Sequence, residues 1–190
     1  MHILPCLEIK KGRIQVVRDS KKSKTSKLLN ELLKDASRSD RALAKTIGVS
    51  QPTVSRTKKN LLKDGVIEGF TVIPNFYKIG YELMAITFVK IKNNLSSGEE
   101  REKGHESTKE WMQKQHNVIF CSYCRGLDAD AFMISLHKNY KDFDQFIQKH
   151  NKEQGHLLTD VKNTLINMDD TQTIKPLTFR SLAEQANEVM

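Results

Sequence analysis

Apolar residues at helical spacing predict a helix over residues 26–34. Its leucines recur at the intervals of one, three and four residues that place side chains on one helical face, namely Leu28, Leu29, Leu32 and Leu33. A second helix is predicted over residues 39–47, from the capping residue Ser39 to a stop at Gly48, whose freedom at positive φ suits a turn.

A third helix is predicted after this turn. Ser50 is placed to cap it, and Pro52 falls in its first turn, where the missing N–H removes no hydrogen bond. We expect the helix to run to about Asp64 and to stop at Gly65. Three helices in this order have the spacing of a helix-turn-helix motif. Behind them, β-branched and aromatic residues at 66–74 predict a two-stranded wing that ends at proline.

The residues before the first helix allow two interpretations. Two short apolar runs surround a glycine-containing turn within residues 3–17, and a lysine-rich polar linker is expected at residues 19–25. Residues 1–23 therefore fit a small hairpin, and they fit a basic N-terminal arm equally well.

The remaining sequence alternates between strand and helix patterns. Strands are predicted at residues 83–92, 118–124, 131–137 and 157–168, with one helix ending near Trp111 and another starting at Tyr140. The second of these helices presents a face with Tyr140, Phe143, Ile147 and His150, and the third strand one with Phe132, Ile134 and Leu136. The order β-α-β-β-α-β is ferredoxin-like, an antiparallel sheet with both helices on one side. Its other face needs a cover, and a second copy of the chain is the simplest one, so we expect a homodimer.

Composition is that of an ordinary folded protein of one or two domains. Of 190 residues, 38% are hydrophobic and 28% are charged. The longest uncharged apolar stretch, residues 83–89, is far shorter than the roughly 20 residues of a membrane span. Residues 1–6 are too short for the apolar core of a signal peptide. We therefore expect a cytoplasmic protein without a membrane partner.

Positive charge is concentrated in the first third of the chain. Residues 1–64 hold 16 Lys and Arg against 6 Asp and Glu, a net charge of +10, whereas residues 65–190 hold 15 against 17. Such an asymmetry is the electrostatic footprint expected for binding a polyanion. A solvated basic face without a partner is the alternative.

The cysteines predict neither disulfides nor a metal site. Three of them, Cys6, Cys121 and Cys124, are an odd set that fits a reducing compartment. Cys121 and Cys124 have the spacing of metal ligands, but they fall in a predicted strand, where residues three apart point to opposite faces. We expect no metal and no cofactor.

Short motifs in and after the second and third helices match a known family. They are Ala42-Leu43-Ala44, Gly48-Val49-Ser50, Val54, Arg56, Leu61 and Gly65-Val66-Ile67-Glu68-Gly69-Phe70. In this order, followed by a β-α-β-β-α-β domain, they cover residues 26 to about 170 and resemble the Lrp/AsnC family of prokaryotic feast/famine regulators. The resemblance implies an α+β fold with a winged helix-turn-helix domain at residues 24–75, a ferredoxin-like βαββαβ (RAM-type) assembly and effector domain at 76–170, and a C-terminal extension at 171–190.

A helix-turn-helix regulator places the N-terminal part of its third helix in the major groove of double-stranded DNA. The residues expected to meet base edges there are Gln51, Thr53, Ser55, Arg56 and Lys59. Arg56 suits guanine and Gln51 suits adenine, each through two hydrogen bonds; an internal salt bridge is the alternative for Arg56. Backbone phosphates are expected at the helix N-termini capped by Ser39 and Ser50, with the basic residues Arg38, Arg41, Lys58 and Lys63.

The resemblance also implies a small-molecule effector, such as an amino acid, bound between neighbouring subunits. Asp128 and Asp130, beside the loop between the second and third strands, are candidates to accept its α-ammonium group. The alternative is that these acids only cap a turn.

Two other functions use similar parts. Siroheme decarboxylases look like this family, but here the positive charge lies on the helix-turn-helix and no acid-base or nucleophile constellation is evident, so an enzyme is not expected. An architectural DNA-binding protein of low sequence specificity stays open. So do the operator, activation versus repression, and assembly of dimers into tetramers or octamers.

Overall fold

The computed structural model describes residues 20–92, 98–169, 171 and 173–183, and the chain divides into two compact units. The described part of the first unit comprises residues 20–73 and 177–183, and the second unit lies within residues 74–176. Residues 1–19, which hold most of the predicted arm or hairpin, lie outside the described residues. Among the described helices, none is long and apolar enough to cross a membrane.

Three helices build the first unit, as the leucine periodicity and the capping residues predict. They are α1 (Ser20–Lys34), α2 (Asp40–Ile47) and α3 (Gln51–Lys63). One cluster of buried side chains joins them, consisting of Leu28, Leu32, Leu43, Ala44, Val54 and Leu61. Because burying a leucine or valine stabilises a fold by roughly 1.5–3 kcal/mol, this cluster holds the three helices against one another.

The first helix begins earlier than predicted. Residues 20–25 were expected in a polar linker, but α1 starts at Ser20 and includes them. The lysines of this segment are good helix formers, because their unbranched side chains lose little rotamer freedom in a helix. The prediction of a linker over residues 20–25 is therefore wrong.

The predicted two-stranded wing does not form. Residues 66–82 contain no strand in the structure, and Val66, Phe70 and Val72 are exposed. The backbone N–H groups of Val66 and Ile67 donate instead to the carbonyl oxygen of Leu61, at 2.9 and 3.1 Å. These bonds tie the segment to the end of α3, and it continues without a strand partner within its own unit.

The second unit has the predicted ferredoxin-like order of elements. They are β1 (Leu83–Ile91), α4 (Gly98–Gln113), β2 (Val118–Gly126), β3 (Ala129–His137), α5 (Tyr140–Gln154), a single 3-10 turn (Gly155–Leu157) and β4 (Leu158–Asn167). The strands form one antiparallel sheet in the order β2-β3-β1-β4. This is the sheet order of a β-α-β-β-α-β fold, in which β1 and β3 are the two central strands.

The two faces of the sheet differ in burial. On β1 and β3 the buried residues of one face include Ala85, Thr87, Met133 and Ser135, and Met133 packs against Trp111 of α4 and Phe146 of α5. Side chains alternate between the faces of a strand. The opposite face therefore carries the partly exposed residues Met84, Ile86, Phe88, Phe132 and Ile134.

The buried face of α5 matches the predicted one only in part. Phe143 and His150 are buried as expected, but Tyr140 is 64% exposed and Phe146 is buried in its place. Tyr140 lies in the first turn of the helix, immediately after the N-cap Asn139. Its ring packs on that of Phe143 at 6.0 Å and does not enter the core.

Candidate nucleic-acid interface

One stripe along α3 is basic and exposed. Arg56, Lys59 and Lys63 are exposed, and their spacing of three and four residues places them on one side of the helix. Val54 and Leu61 lie on the opposite side and are 1% and 4% exposed. The helix is thus anchored by one face and presents three positive charges on the other.

The polar side chains in the first turn of α3 differ in exposure and in their hydrogen bonds. Gln51 is exposed, while Thr53 and Ser55 are partly buried. The side chain of Ser50 makes no capping hydrogen bond to the backbone, contrary to the prediction; its Oγ lies 2.8 Å from Oγ1 of Thr53. Pro52, in the first turn, has no N–H to offer at this end of the helix.

The N-terminus of α2 is capped as predicted. Ser39 has an extended backbone conformation, and its Oγ accepts a hydrogen bond from the backbone N–H of Ala42 at 3.2 Å. This bond satisfies one of the amides that a helix leaves without an internal partner at its start.

An ion pair connects α2 to α3. Nζ of Lys58 lies 2.7 Å from Oδ1 of Asp40, and both side chains are largely buried, with 19% and 28% exposed. The same ammonium group lies 5.7 Å from the centre of the Phe70 ring. Lys58, predicted to contact phosphate, is therefore engaged within the unit.

A second polar cluster connects α1 to α2. The guanidinium group of Arg38 pairs with Glu31 and donates to Oγ1 of Thr46 at 2.6 Å. Lys34 also pairs with Glu31, at 2.7 Å. The hydrogen bond from Lys34, followed by that from Arg38, lowers the pKa of the Glu31 carboxyl against the opposing effect of burial. Arg38, a second predicted phosphate ligand, thus connects α1 to α2.

Of the residues predicted to contact DNA, five charged or amide side chains stay exposed on the surface of α2 and α3. They are Arg41, Gln51, Arg56, Lys59 and Lys63. The helices hold these groups in place through their buried faces.

Comparison with known proteins also identifies the first unit as a helix-turn-helix DNA-binding domain. Residues 23–68 match a family model described as winged helix-turn-helix DNA-binding. An uncharacterized HTH-type transcriptional regulator of Pyrococcus abyssi is 30% identical over 122 residues, which cover 64% of this chain and 76% of that protein. The HTH-type transcriptional regulator LrpA of the same organism is 40% identical over 62 residues, or 33% of this chain and 44% of LrpA. The chain belongs to the Lrp/AsnC family of transcription regulators.

Solved structures show that the fold of this Lrp/AsnC regulator extends over both units. An AsnC family transcriptional regulator from Agrobacterium tumefaciens superposes with a TM-score of 0.66 at 19% identity, covering 85% of this chain and 94% of that one. A transcriptional regulator from Neisseria meningitidis, solved as a complex with L-Met, superposes with a TM-score of 0.66 at 16% identity, covering 87% and 99%. The protein is a DNA-binding transcription regulator, as are the two Pyrococcus relatives.

The predicted effector residues of the regulator surround a lysine of its own chain. Nζ of Lys90 lies 3.2 Å from Oδ1 of Asp128 and 3.4 Å from Oδ1 of Asp130. The other oxygen of Asp130 accepts a hydrogen bond from the backbone N–H of Ile91 at 2.9 Å. The hydrogen bond to Asp128, with the charges of both carboxylates, raises the pKa of Lys90. The two acids thus lie around an ammonium group of their own chain.

The turn beside this cluster has an uncommon backbone. Leu127 and Asp128, which connect β2 to β3, both have a φ of 52°. Residues with side chains seldom occupy this left-handed region, although aspartate tolerates it better than most. The turn directs the Asp128 carboxylate, which is 76% exposed, toward Lys90 on β1.

Two of the cysteines lie in β2. Cys121 is exposed and Cys124 is partly exposed, and desolvation of the Cys121 thiol by surrounding atoms raises its pKa. In the part of the chain that the structure describes, no group of three or more His, Cys, Asp or Glu side chains is arranged to hold a metal ion.

Three positioning residues escaped the sequence prediction, namely Glu31, Asp40 and Thr46. A signal for the first two was present, since they are among only six acidic residues within the basic first 64. An acidic residue within a basic segment is a candidate for an ion pair within the protein.

Proposed function

We propose that the regulator recognises a specific DNA sequence with the N-terminal half of α3 in the major groove. The exposed basic stripe opposite the buried Val54 and Leu61 is the observation that carries this proposal. Arg56 and Gln51 read base edges, because their side chains match guanine and adenine in the major groove. Thr53, Ser55 and Lys59 flank them.

Phosphates are held beside these readers. Arg41 and Lys63 are exposed and supply positive charge, while Ser39 and Ser50 mark the helix N-termini that point backbone amides at the DNA. Because Arg38 and Lys58 are paired internally, we propose that they position the helices and contribute little to phosphate binding directly.

Replacing Arg56 tests the assignment of α3. Arg56→Ala is expected to weaken binding to a duplex selected by the wild-type protein about fivefold or more, equivalent to about 1 kcal/mol, with relaxed preference at one base pair. Arg125→Ala is the matched control, since Arg125 is an exposed arginine of the second unit. Affinity and sequence preference that are undiminished in Arg56→Ala, measured by fluorescence anisotropy, would contradict the assignment.

A second candidate function is DNA compaction with little sequence preference. The net charge of +10 in residues 1–64 favours it, because charge alone binds any duplex. We also propose that the protein acts in the cytoplasm, since its proposed partner is DNA. We propose that neither function includes catalysis, so the absorbance of siroheme should not change on mixing with the protein.

We further propose that the regulator is a homodimer joined through the exposed face of its sheet. Phe88, Phe120 and Phe132 form a continuous aromatic row across this face, with ring centroids 6.1 and 5.6 Å apart. Phe120 is 53% exposed. Apolar surface of this kind is covered in most proteins, and the same face of a second copy is self-complementary.

A charge placed on this face is expected to dissociate the dimer. Phe132→Lys should give a monomer at protein concentrations where the wild type is dimeric, as measured by analytical ultracentrifugation. Tyr140→Lys is the control, because Tyr140 is equally aromatic and 64% exposed but lies on α5. A wild-type monomer, or a Phe132→Lys variant that stays dimeric, would refute this interface; tetramers or octamers of the wild type would add a second one.

An amino-acid effector is proposed for the cluster of Asp128, Asp130 and Lys90. The support is the exposed carboxylate of Asp128 and the L-Met complex of the similar Neisseria regulator. An α-ammonium group would compete with Lys90 for the same two acids. We therefore expect Lys90→Met to strengthen binding of the effector.

A thermal-shift screen over the amino acids tests the effector. Binding to the folded state raises the melting temperature as the ligand concentration exceeds Kd, so Lys90→Met should respond at lower concentration than wild type. Asp128→Asn should lose the response. If no amino acid stabilises either wild type or Lys90→Met, the two acids only hold the turn.

A further inference from the structure

The C-terminal end of the described chain belongs to the DNA-binding unit. Residues 177–183, named here the C-terminal strap, return to this unit although the whole second unit separates them from it in sequence. Ala183 is 1% exposed, and a helical turn begins at Arg180 after a hydrogen bond from the Arg180 amide to Oγ1 of Thr178. The strap is thus anchored by burial at its last described residue.

Arg180 connects the strap to the end of α1. Its Nε donates a hydrogen bond of 3.0 Å to the carbonyl oxygen of Lys34, the last residue of that helix. The last carbonyl groups of a helix have no partner within it and carry partial negative charge, so a guanidinium donor is well matched there. The next residue, Asp35, has a lowered pKa mainly because Ser37 donates to it, with the charge of Arg180 contributing.

Polar contacts continue from this point toward the recognition helix. Lys34 pairs with Glu31 one turn earlier, Glu31 pairs with Arg38, and Arg38 donates to Thr46 of α2. The ion pair between α2 and α3 completes the series. The pair between Lys34 and Glu31 lies within α1, whereas Arg38 connects α1 to α2 and Lys58 connects α3 to α2. These contacts are a physical route from the end of α1 to α3.

We propose that Arg180 is a positioning residue for DNA binding, which sets the orientation of α3 through α1 and α2 and does not itself touch DNA. The proposal rests on DNA recognition by α3. Residues that act through such contact networks without meeting the ligand change affinity by about twofold to thirtyfold. They leave the number of phosphate contacts unchanged, and the salt dependence of binding reports that number.

The test uses full-length Arg180→Ala, Arg180→Lys and the control Arg125→Ala with a duplex selected from a random library by the wild type. Arg180→Ala is expected to bind about threefold to tenfold more weakly per folded molecule, with the salt slope of the wild type. Arg180→Lys should recover most of the loss, because an ammonium group still donates to the Lys34 carbonyl. Arg125→Ala should bind like the wild type.

Three results would overturn the positioning role. One is wild-type affinity in Arg180→Ala, with the folded fraction measured by circular dichroism. Another is a salt slope lowered by about one, which would make Arg180 a phosphate ligand. The third is no recovery in Arg180→Lys. Arg56→Ala, measured in parallel, separates the two proposals: weak binding by Arg56→Ala with unaffected Arg180→Ala rejects the strap alone.

Discussion

His137 is a buried histidine held uncharged by its surroundings. It is fully buried on β3, with Nε2 2.8 Å from Oγ of Ser135 and the rings of Phe143 and Phe146 against its own. Burial lowers its pKa from the ordinary 6.5, against the opposing charge of Asp142 at 3.7 Å. The unfolded chain therefore binds this proton more tightly than the folded chain, so the stabilisation is complete above pH 6.5 and is lost as pH falls below it.

The stability of His137→Gln should therefore depend less on pH than that of the wild type. Between about pH 7 and pH 5 the melting temperature of the wild type is expected to fall more steeply, by circular dichroism. His150 is also buried with a lowered pKa, so the variant removes only part of the effect. The exposed His156 supplies the control His156→Gln. Identical pH dependence in His137→Gln and wild type would disprove the assignment.

The sequence indicated which residues of the interface are basic, but it did not indicate which acidic residues they pair with. Lys58 and Arg38 were identified as basic residues of the interface, yet their acidic partners lie 18 and 7 residues away in sequence. Neither distance is the three- or four-residue spacing that predicts a pair on one helix. Such partners depend on how helices pack, which periodicity does not report. Among the residues that the structure describes, Arg56 has no acidic partner, and its side chain is exposed.

Between helices, the Asp40–Lys58 ion pair is expected to stabilise the packing of α2 on α3. A double-mutant cycle with Asp40→Asn and Lys58→Met should show a coupling of about 0.5–1 kcal/mol in the free energy of unfolding, because both side chains are largely buried. The exposed pair Glu106–Lys109, at 4.0 Å, supplies a control cycle with little coupling. Equal coupling in both cycles, measured by urea denaturation, would count against this role.

Local patterns predicted most elements and failed where pairing is non-local. The leucines of α1 and the alternation of β3 report their own conformation, so helices and strands were found to within a few residues at most ends. The segment 66–74 has strand-like composition, but a strand also needs a partner, and its first amides bond to the end of α3. Likewise, nothing in residues 177–183 indicated that they return to the first unit.

For the molecule as a whole, the charge distribution and the architecture both indicate DNA as the binding partner. The positive charge lies in the part of the sequence that contains the helix-turn-helix, while residues 65–190 carry slightly more acidic than basic residues. The sheet of the second unit has an apolar, partly exposed face, through which we propose that two copies associate. A dimer would present two α3 helices to two half-sites about one helical turn apart. Family membership and fold were accessible from sequence, whereas the internal pairing of Lys90 required the structure.

The most direct test of sequence-specific regulation is binding to the DNA upstream of the protein's own gene. Shuffled DNA of equal composition serves as competitor across a salt series. The proposed function predicts a preference of at least about 10³-fold for the native DNA, with affinity that falls as salt rises. Equal, salt-sensitive binding to both DNAs would contradict sequence-specific recognition and favour compaction, and binding to neither would contradict the DNA-binding role of α3 itself.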